Sequence, residues 1–417
     1  MRSLILAPLP KWRHLLSVLL PFTIDDRDLA APWCRSGNEG FLLSRSALSL
    51  AVVASWRQRV EKKQNLTFWV PDFFCNASLQ PLRDIGVKLV FYPVTDQLIP
   101  NMDFCQVLAS QSSPDIVVLV HYFGRPSPVD SMADFCKEQE AFFIEDAAHV
   151  LRPVPGIGEA GDFVLYSPHK HLPISDGAVL VVRQDGPGQL AKKDIEMKVL
   201  LEICSEVIKS SKISNYLVGS WLIKRILQRL GYRSLTSFGS FRSEVNPTVS
   251  EIKGFAMSTL AKRLLYNLKG SLDEVAFLRA QHAIDWQVSL SFLSESDRSL
   301  KPILNKFTPY LACFTNTKEK DIEVIYNELQ DAGLPILTWP DLPPEVIEKT
   351  EAYHSAITLR HTRLYTPVHQ SLNQQLIHKY GKNVIENSIA KWQVKEISLN
   401  EWEVYWQRCA QTNLLQS

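Results

Sequence analysis

From about residue 40 onward, short apolar runs alternate with segments whose apolar positions recur at helical spacing. In "SRSALSLAVVASWRQRV", Leu48, Ala51, Val52 and Trp56 fall on one helical face and serines open the segment, which predicts a helix. "LTFWVPDFF" predicts a buried strand closed by Pro71 and Asp72, "ASLQPLRDIG" a short helix stopped by Gly86, and "VKLVFYPV" a second strand. The alternation continues: helix at "DFCQVLAS", strand at "DIVVLVHYFG", helix at "VDSMADFCKEQE", strand at "AFFIEDAA". "DFVLYS" and "GAVLVV" follow closely, with a short loop around Lys170 between them. Strands that are apolar almost throughout, separated by helices, predict an α/β fold: a mostly parallel sheet sandwiched by helices.

Beyond residue 190 the pattern changes. "IEMKVLLEICSEVIKSS" and "NYLVGSWLIKRILQRLG" predict helices that make an insert over about 190–235, and residues 236–250 look like a linker. A long helical stretch begins at "STLAKRLLYNL". "YLACFTN", a helix at "KDIEVIYNELQDAG" and "LPILTW" then predict a smaller C-terminal α+β domain. The expected division is 1–250 for a large domain, 251–390 for a small one and 391–417 for a tail. The opening residues predict a strand, a turn and a short helix, because Pro8, Pro10, Lys11, Arg13 and His14 interrupt what would otherwise resemble a targeting segment.

Composition narrows the class. A chain of 417 residues with 46% hydrophobic and 21% charged residues has the make-up of a globular protein of more than one core. A formal net charge of +1 gives no electrostatic reason to expect nucleic acid. Seven scattered cysteines without paired spacing point to free thiols in a reducing compartment and away from a structural metal. No stretch is long and apolar enough to predict a membrane span. The expectation is a cytoplasmic protein that binds neither nucleic acid nor membrane.

The candidate chemistry lies in "FFIEDAAHVLRPVPGIGEAGDFVLYSPHKHLPISDGAVLVV". Asp146 falls at the carboxyl end of a strand, where open α/β sheets hold ligands. His149 follows by one turn, and Lys170 occupies the loop between the next two strands. A lysine amine can form a Schiff base with an aldehyde cofactor, and pyridoxal phosphate also needs a carboxylate on its ring nitrogen. This assigns Lys170 to the aldehyde and Asp146 to the ring. The helix start "LLSRSAL" offers backbone N–H groups of Ser44, Arg45 and Ser46 and the Ser46 hydroxyl to the phosphate, with Ser167 as a further hydroxyl. Each feature alone is commonplace: a solvated lysine, a helix cap, a core histidine. Their order along the chain is what points to a site.

These segments resemble the DegT/StrS-type family of fold-type I pyridoxal-phosphate enzymes, known as sugar aminotransferases. "SRSALSLAV" is similar to the family's phosphate-binding helix start, and "VPDFFCNASLQPLRDIGVKLVFYPV" to its Val-Pro strand with the following helix and strand. "VLVHYFGRPSPVDSM" is similar to its His-x-Tyr/Phe-Gly-x-Pro segment, "FIEDAAHVL" to its Ile-Glu-Asp-Ala-Ala-His/Gln motif, and "GDFVLYS" to the strand leading to the cofactor lysine. "LYTPVHQSL", with His369, resembles a segment of the small domain. The resemblance covers roughly 35–385. It implies that Lys170 is catalytic, that Asp146 pairs with the pyridine nitrogen, and that His149 contacts the cofactor near its 3-hydroxyl. It also implies a homodimer with sites at the subunit interface, an amino acid donor such as glutamate, and a keto substrate such as a nucleotide-linked keto sugar.

The departures are specific. Arg45 stands where the family has threonine, and Leu165 stands five positions before the lysine where it has serine, with Ser167 only three before. Cys75 replaces a ring-stacking aromatic, leaving Phe74 or Phe73 to serve. His121, Tyr122 and Arg125 are substrate-contact candidates together with His369. The tail "WQVKEISLNEWEVYWQRCAQTNLLQS" resembles the opening of an acyltransferase domain of the GNAT or FemAB-like kind, which implies such a domain or partner. Transamination is the leading expectation. The alternatives are dehydration, decarboxylation or carbon–carbon bond formation on a non-sugar substrate, or a non-catalytic scaffold.

Overall fold

The computed structural model describes residues 6–18, 24–210, 215–232, 241, 254–290, 293, 306–315 and 319–382. A seven-stranded sheet is built from β1 (Glu39–Leu43), β2 (Thr67–Pro71), β3 (Lys88–Tyr92), β4 (Ile116–Val120), β5 (Phe142–Ala147), β6 (Phe163–Tyr166) and β7 (Ala178–Val182). Its order is β1-β7-β6-β5-β4-β2-β3. β3, β2, β4, β5 and β6 run parallel, and β7 is antiparallel to both β6 and β1. Strands β2, β4, β5, β6 and β7 are buried along their whole length, which accounts for their continuous apolar runs.

Side chains alternate between the two faces, as a pleated strand requires. Phe163 and Leu165 of β6, and Ala178 and Leu180 of β7, enter one core with Leu50, Val53 and Trp56 of helix α3 (Ser46–Glu61), which follows α1 (Trp12–Ser17) and α2 (Asp26–Ala30) in the chain. Val164, Tyr166, Val179 and Val181 enter the opposite core with Ala261, Leu264, Leu265 and Leu268 of a helix at Thr259–Leu268. Trp56 packs edge-on against Phe142 and Phe163 at 4.8 and 5.5 Å, and its Nε1 donates to the Glu196 carbonyl.

The two helices expected over 190–235 form at Asp194–Ser210 and Asn215–Arg229. The first is not an appendage: Leu200, Ile203 and Cys204 belong to the large core. The second is mostly exposed, with Tyr216 and Ile223 open to solvent. The expected boundary at residue 250 falls before the Thr259–Leu268 helix, whose apolar face nevertheless packs on the large sheet.

The smaller unit pairs β8 (Leu311–Thr315) antiparallel with β9 (Arg363–Pro367) and adds a helix at Glu319–Asp331. "LPILTW" contributes one bridge, Leu337 to Tyr365, in place of a strand. Pro335 and Pro340 bracket it, and each lacks the N–H that a ladder needs. At the amino end a helix forms at Trp12–Ser17, while residues 1–5, in the stretch where a strand is expected before it, lie outside the described residues. So do the 236–250 linker apart from Phe241 and the whole 391–417 tail. No helix among the described residues is long and apolar enough to cross a membrane.

Candidate active site

β5 and β6 pair with Asp146 opposite Leu165 and Ala147 opposite Tyr166, so both strands deliver their carboxyl ends to one rim of the sheet. Asp146 is at that rim. Lys170 sits on a single helical turn, Pro168–His171, directly after β6, which brings it back over the same rim. The amino end of α3 closes the third side. Ser46, Phe74, Tyr122, Asp146, His149 and Lys170 line one cleft.

Asp146 is buried, and one of its oxygens accepts a hydrogen bond from the Ala148 N–H at 2.9 Å. Its second oxygen has no hydrogen bond among the described residues. Burial raises its pKa, and the neighbouring Lys170 charge opposes that rise. Lys170 Nζ likewise has no hydrogen-bond partner there and lies 5.9 Å from the Tyr310 ring. His149 stacks between Tyr310 (4.4 Å, 11°) and Phe123 (5.8 Å, 17°), and its Nδ1 accepts from the Phe123 N–H. Burial, then the Lys170 charge, push its pKa well down and leave the imidazole neutral.

No side chain caps α3. The first-turn N–H groups beside Ser46 and Ala47 therefore face the cleft without an internal acceptor, as an anion site requires. The Ser44 N–H, expected to help, is taken by the Phe255 carbonyl, and the Ser44 hydroxyl by Gly254. Arg45 is also turned away: its guanidinium donates to the Ser175 carbonyl and interacts with Asp176. Ser167 is buried and bonded to His169 Nδ1, and it is not among the cleft-lining residues. His121 lies beneath the rim, where its Nε2 meets Glu145 at 2.9 Å and its Nδ1 accepts from the Ser127 N–H. His369 is buried in the smaller unit, and its carbonyl meets His282. Arg125 lies over the Phe307 ring.

Two contributors had no local signal. Trp339 stacks on Phe73 at 4.5 Å and lines the cleft, and Tyr310 covers His149. Both come from segments far along the chain that only the tertiary fold brings to the rim. Glu145, next to Asp146 on β5, accepts from the N–H groups of Gly158, Ala160 and Gly161 and fixes the loop that leads into β6.

The residues present fit pyridoxal phosphate. A carboxylate with one unpartnered oxygen, an unpartnered amine and an uncapped helix start share one cleft, which matches the ring nitrogen, aldehyde and phosphate of that cofactor. Among the described residues there is no cluster of side chains suited to a metal ion.

The profile of the DegT/DnrJ/EryC1/StrS aminotransferase family matches residues 46–200. Over that span the chain is similar to these aminotransferases. That family uses pyridoxal phosphate. The matched span contains Ser46, Asp146, His149 and Lys170, so it coincides with the cleft. Solved structures share the fold-type I architecture at low identity. Spr1654 of Streptococcus pneumoniae in its PMP form aligns with a TM-score of 0.65 at 13% identity, covering 92% of this chain and 99% of that one. Helicobacter pylori PseC, an aminotransferase involved in the biosynthesis of pseudoaminic acid, aligns with a TM-score of 0.60 at 14% identity, covering 93% and 94%. A serine hydroxymethyltransferase of Methanosphaera stadtmanae is 25% identical over 213 residues, covering 46% of this chain and 50% of the relative. The chain thus spans about half the length of that curated relative.

Proposed function

We propose that the protein is a pyridoxal-phosphate-dependent aminotransferase. It takes an amino group from an amino acid, glutamate being the donor to test first, and passes it to a keto substrate of the nucleotide-linked sugar class in a biosynthetic pathway. The observation that carries this reading is the convergence of Asp146, Lys170 and the uncapped α3 start on one cleft. The family match over the same residues supports it, and the sugar-pathway neighbour supports the acceptor class.

When bound, pyridoxal phosphate supplies an aldehyde that captures amines and a ring that withdraws electrons from the substrate carbon. Asp146 would hold the ring nitrogen protonated through its free oxygen. Lys170 Nζ would be the amine that meets the aldehyde and, when free, the base that would take the proton from the substrate carbon and deliver it elsewhere than to that carbon. The first turn of α3 binds the phosphate. His149, kept neutral, is placed to meet the cofactor ring edge, and Phe74, Tyr122 and Trp339 keep bulk water from the reacting carbon. The protein acts as a cytoplasmic homodimer in this reading, with free thiols at all six described cysteines consistent with a reducing compartment.

The purified protein is expected to be yellow, to bleach on addition of a donor amino acid, and to carry cofactor on Lys170 after borohydride reduction, as located by peptide mass spectrometry. A protein that stays colourless after incubation with the cofactor, or a Lys170→Ala variant that still turns over, overturns the reading. The serine hydroxymethyltransferase likeness supports a second reading, a carbon–carbon bond reaction on the same cofactor. Serine consumed without formation of a keto acid would select it.

A further inference from the structure

Single apolar side chains on a surface are ordinary, but a stripe of them marks a contact. The helix at Asn215–Arg229 carries such a stripe. Tyr216, Ser220, Ile223, Leu227 and Leu230 are spaced four, three, four and three residues apart, so they fall on one helical face. Tyr216 is 80% exposed, Ile223 61%, Leu227 44% and Leu230 58%. Trp221, on another face, packs against the core that holds the Thr259–Leu268 helix. The helix therefore docks by one side and leaves an apolar face in water. Its end is fixed as well. Gly231 adopts φ +94° and its N–H bonds the Gln228 carbonyl, while the Tyr232 N–H returns to the Leu227 carbonyl. This closure keeps Tyr232, also exposed, next to the last turn.

Helix α1 adds a second apolar pair. Trp12 and Leu16, one turn apart, are both exposed. The two helices are close together: Val18, which follows α1, packs against the same core as Trp221. Burial first, and then charges that include Arg229, lower the pKa of His14 on α1. The charge of this surface has one sign. Residues 11–18 and 215–232 contain Lys11, Arg13, Lys224, Arg225 and Arg229 and no acidic residue. Lys11 pairs with Glu274, and Arg225 lies over the Trp221 ring. Lys224 and Arg229 are exposed and form no ion pair among the described residues.

We propose that the helix at Asn215–Arg229, together with α1, docks the protein on the headgroup layer of an anionic lipid bilayer. Ile223, Leu227 and Leu230 enter the acyl boundary, and Lys224 and Arg229 meet the headgroups. A helix with an apolar stripe bordered by cations lies in that layer, and Tyr and Trp side chains favour it. A second copy of the chain fits less well, because pairing two such stripes brings their cations together with no acid to offset them. A net charge of +1 and the lack of a spanning stretch led to the expectation of no membrane contact. Both properties are compatible with a helix that lies along a surface. The inference does not depend on the aminotransferase reading.

Co-sedimentation of the full chain with vesicles of phosphatidylcholine and phosphatidylglycerol in equal parts, against vesicles of phosphatidylcholine alone, tests the proposal. At about 0.05 M salt the protein is expected to pellet with the mixed vesicles and about tenfold more weakly with the neutral ones, and to be released as salt rises to about 0.5 M. Lys224→Gln combined with Arg229→Gln is expected to weaken binding by about fivefold per charge removed. Ile223→Asp combined with Leu227→Asp is expected to abolish it. All four positions are exposed, so both double variants are expected to keep the wild-type melting temperature. Equal pelleting with both kinds of vesicle, no pelleting with either, or undiminished binding by the aspartate variant overturns the proposal. Analytical ultracentrifugation without lipid tests the competing occupant. A mass that falls in the aspartate variant assigns the stripe to a second copy and overturns the proposal too. An unchanged mass beside lost pelleting supports it.

Discussion

Asp146 and Glu145 are neighbours with opposite environments, and the difference sets what each can do. Asp146 keeps an oxygen free at the rim, whereas Glu145 points beneath it and satisfies four donors: His121 and the N–H groups of Gly158, Ala160 and Gly161. Asn at position 146 can still accept from the Ala148 N–H, so Asp146→Asn is expected to fold normally. It loses the charge that would hold the cofactor ring protonated, and kcat is expected to fall by about a hundredfold or more. Circular dichroism beside steady-state kinetics checks both halves. Glu145 is a stability residue. Burial opposes its charge, but His121 and the backbone donors overcome it and bring its pKa from 4.5 down to about 2. A carboxylate with a depressed folded pKa stabilises fully above its unfolded value and loses that contribution as pH falls through the folded one. Its contribution at neutral pH is roughly 3 kcal/mol. Glu145→Gln is expected to lower the urea midpoint at pH 7 and to flatten the loss of stability between pH 4.5 and pH 2. An unchanged midpoint would show that the network does not depend on the charge.

The elements that build the cleft were legible in unequal measure. Strands β2 to β7 and helix α3 follow from apolar runs and helical spacing, because burial on both faces writes itself into the sequence. β1 was not legible: Glu39 is exposed, Gly40 and Phe41 are only partly buried, and its one partner strand is β7. The rim motif around Asp146, His149 and Lys170 was legible because those residues lie close in the chain on adjacent strands. Arg45 was read from its position as offering a backbone N–H to the phosphate, and the direction of its side chain, which donates to the Ser175 carbonyl, could not be read from the sequence. Tyr310 and Trp339 could not be read at all, since nothing local marks an aromatic residue that meets its partners only across the fold. Gly124 links these levels. It adopts φ +89°, and a Cβ there would strike the Thr308 carbonyl and lie 3.1 Å from that of His149. Tyr310 follows two residues later and hangs from the Phe123 carbonyl. Gly124→Ala is expected to cost at least about 2 kcal/mol and to weaken cofactor binding by displacing Tyr310 from His149. Thermal melting and cofactor titration by absorbance measure the two effects.

At the scale of the molecule, several contacts carry the smaller unit on the sheet, among them Val346, Ala356, Leu359 and Tyr365, which enter the large core. The helix at Leu272–Ser289 buries Leu272 and Val275 in a large-sheet core and Ala283 and Trp286 in the core of the smaller unit. Another link is the segment from Leu334 to Trp339, which leaves the small core at Ile336 and enters the large one at Trp339. Trp339 meets Phe73, Tyr122, Phe123, His149 and Tyr365, so a single side chain both docks the unit and walls the cleft. Truncating such a residue removes its transfer energy and leaves a cavity, and Trp339→Ala is expected to cost about 3–5 kcal/mol. The loss should fall on docking more than on either core. Urea unfolding followed by far-ultraviolet circular dichroism is therefore expected to change from one transition to two, with the smaller unit melting first. Trp339→Phe retains the stacking on Phe73 and is expected to keep a single transition at a modestly lower midpoint. A single transition at the wild-type midpoint in Trp339→Ala would mean that the Leu272–Ser289 helix and the contacts of Val346, Ala356 and Leu359 hold the two units together without it.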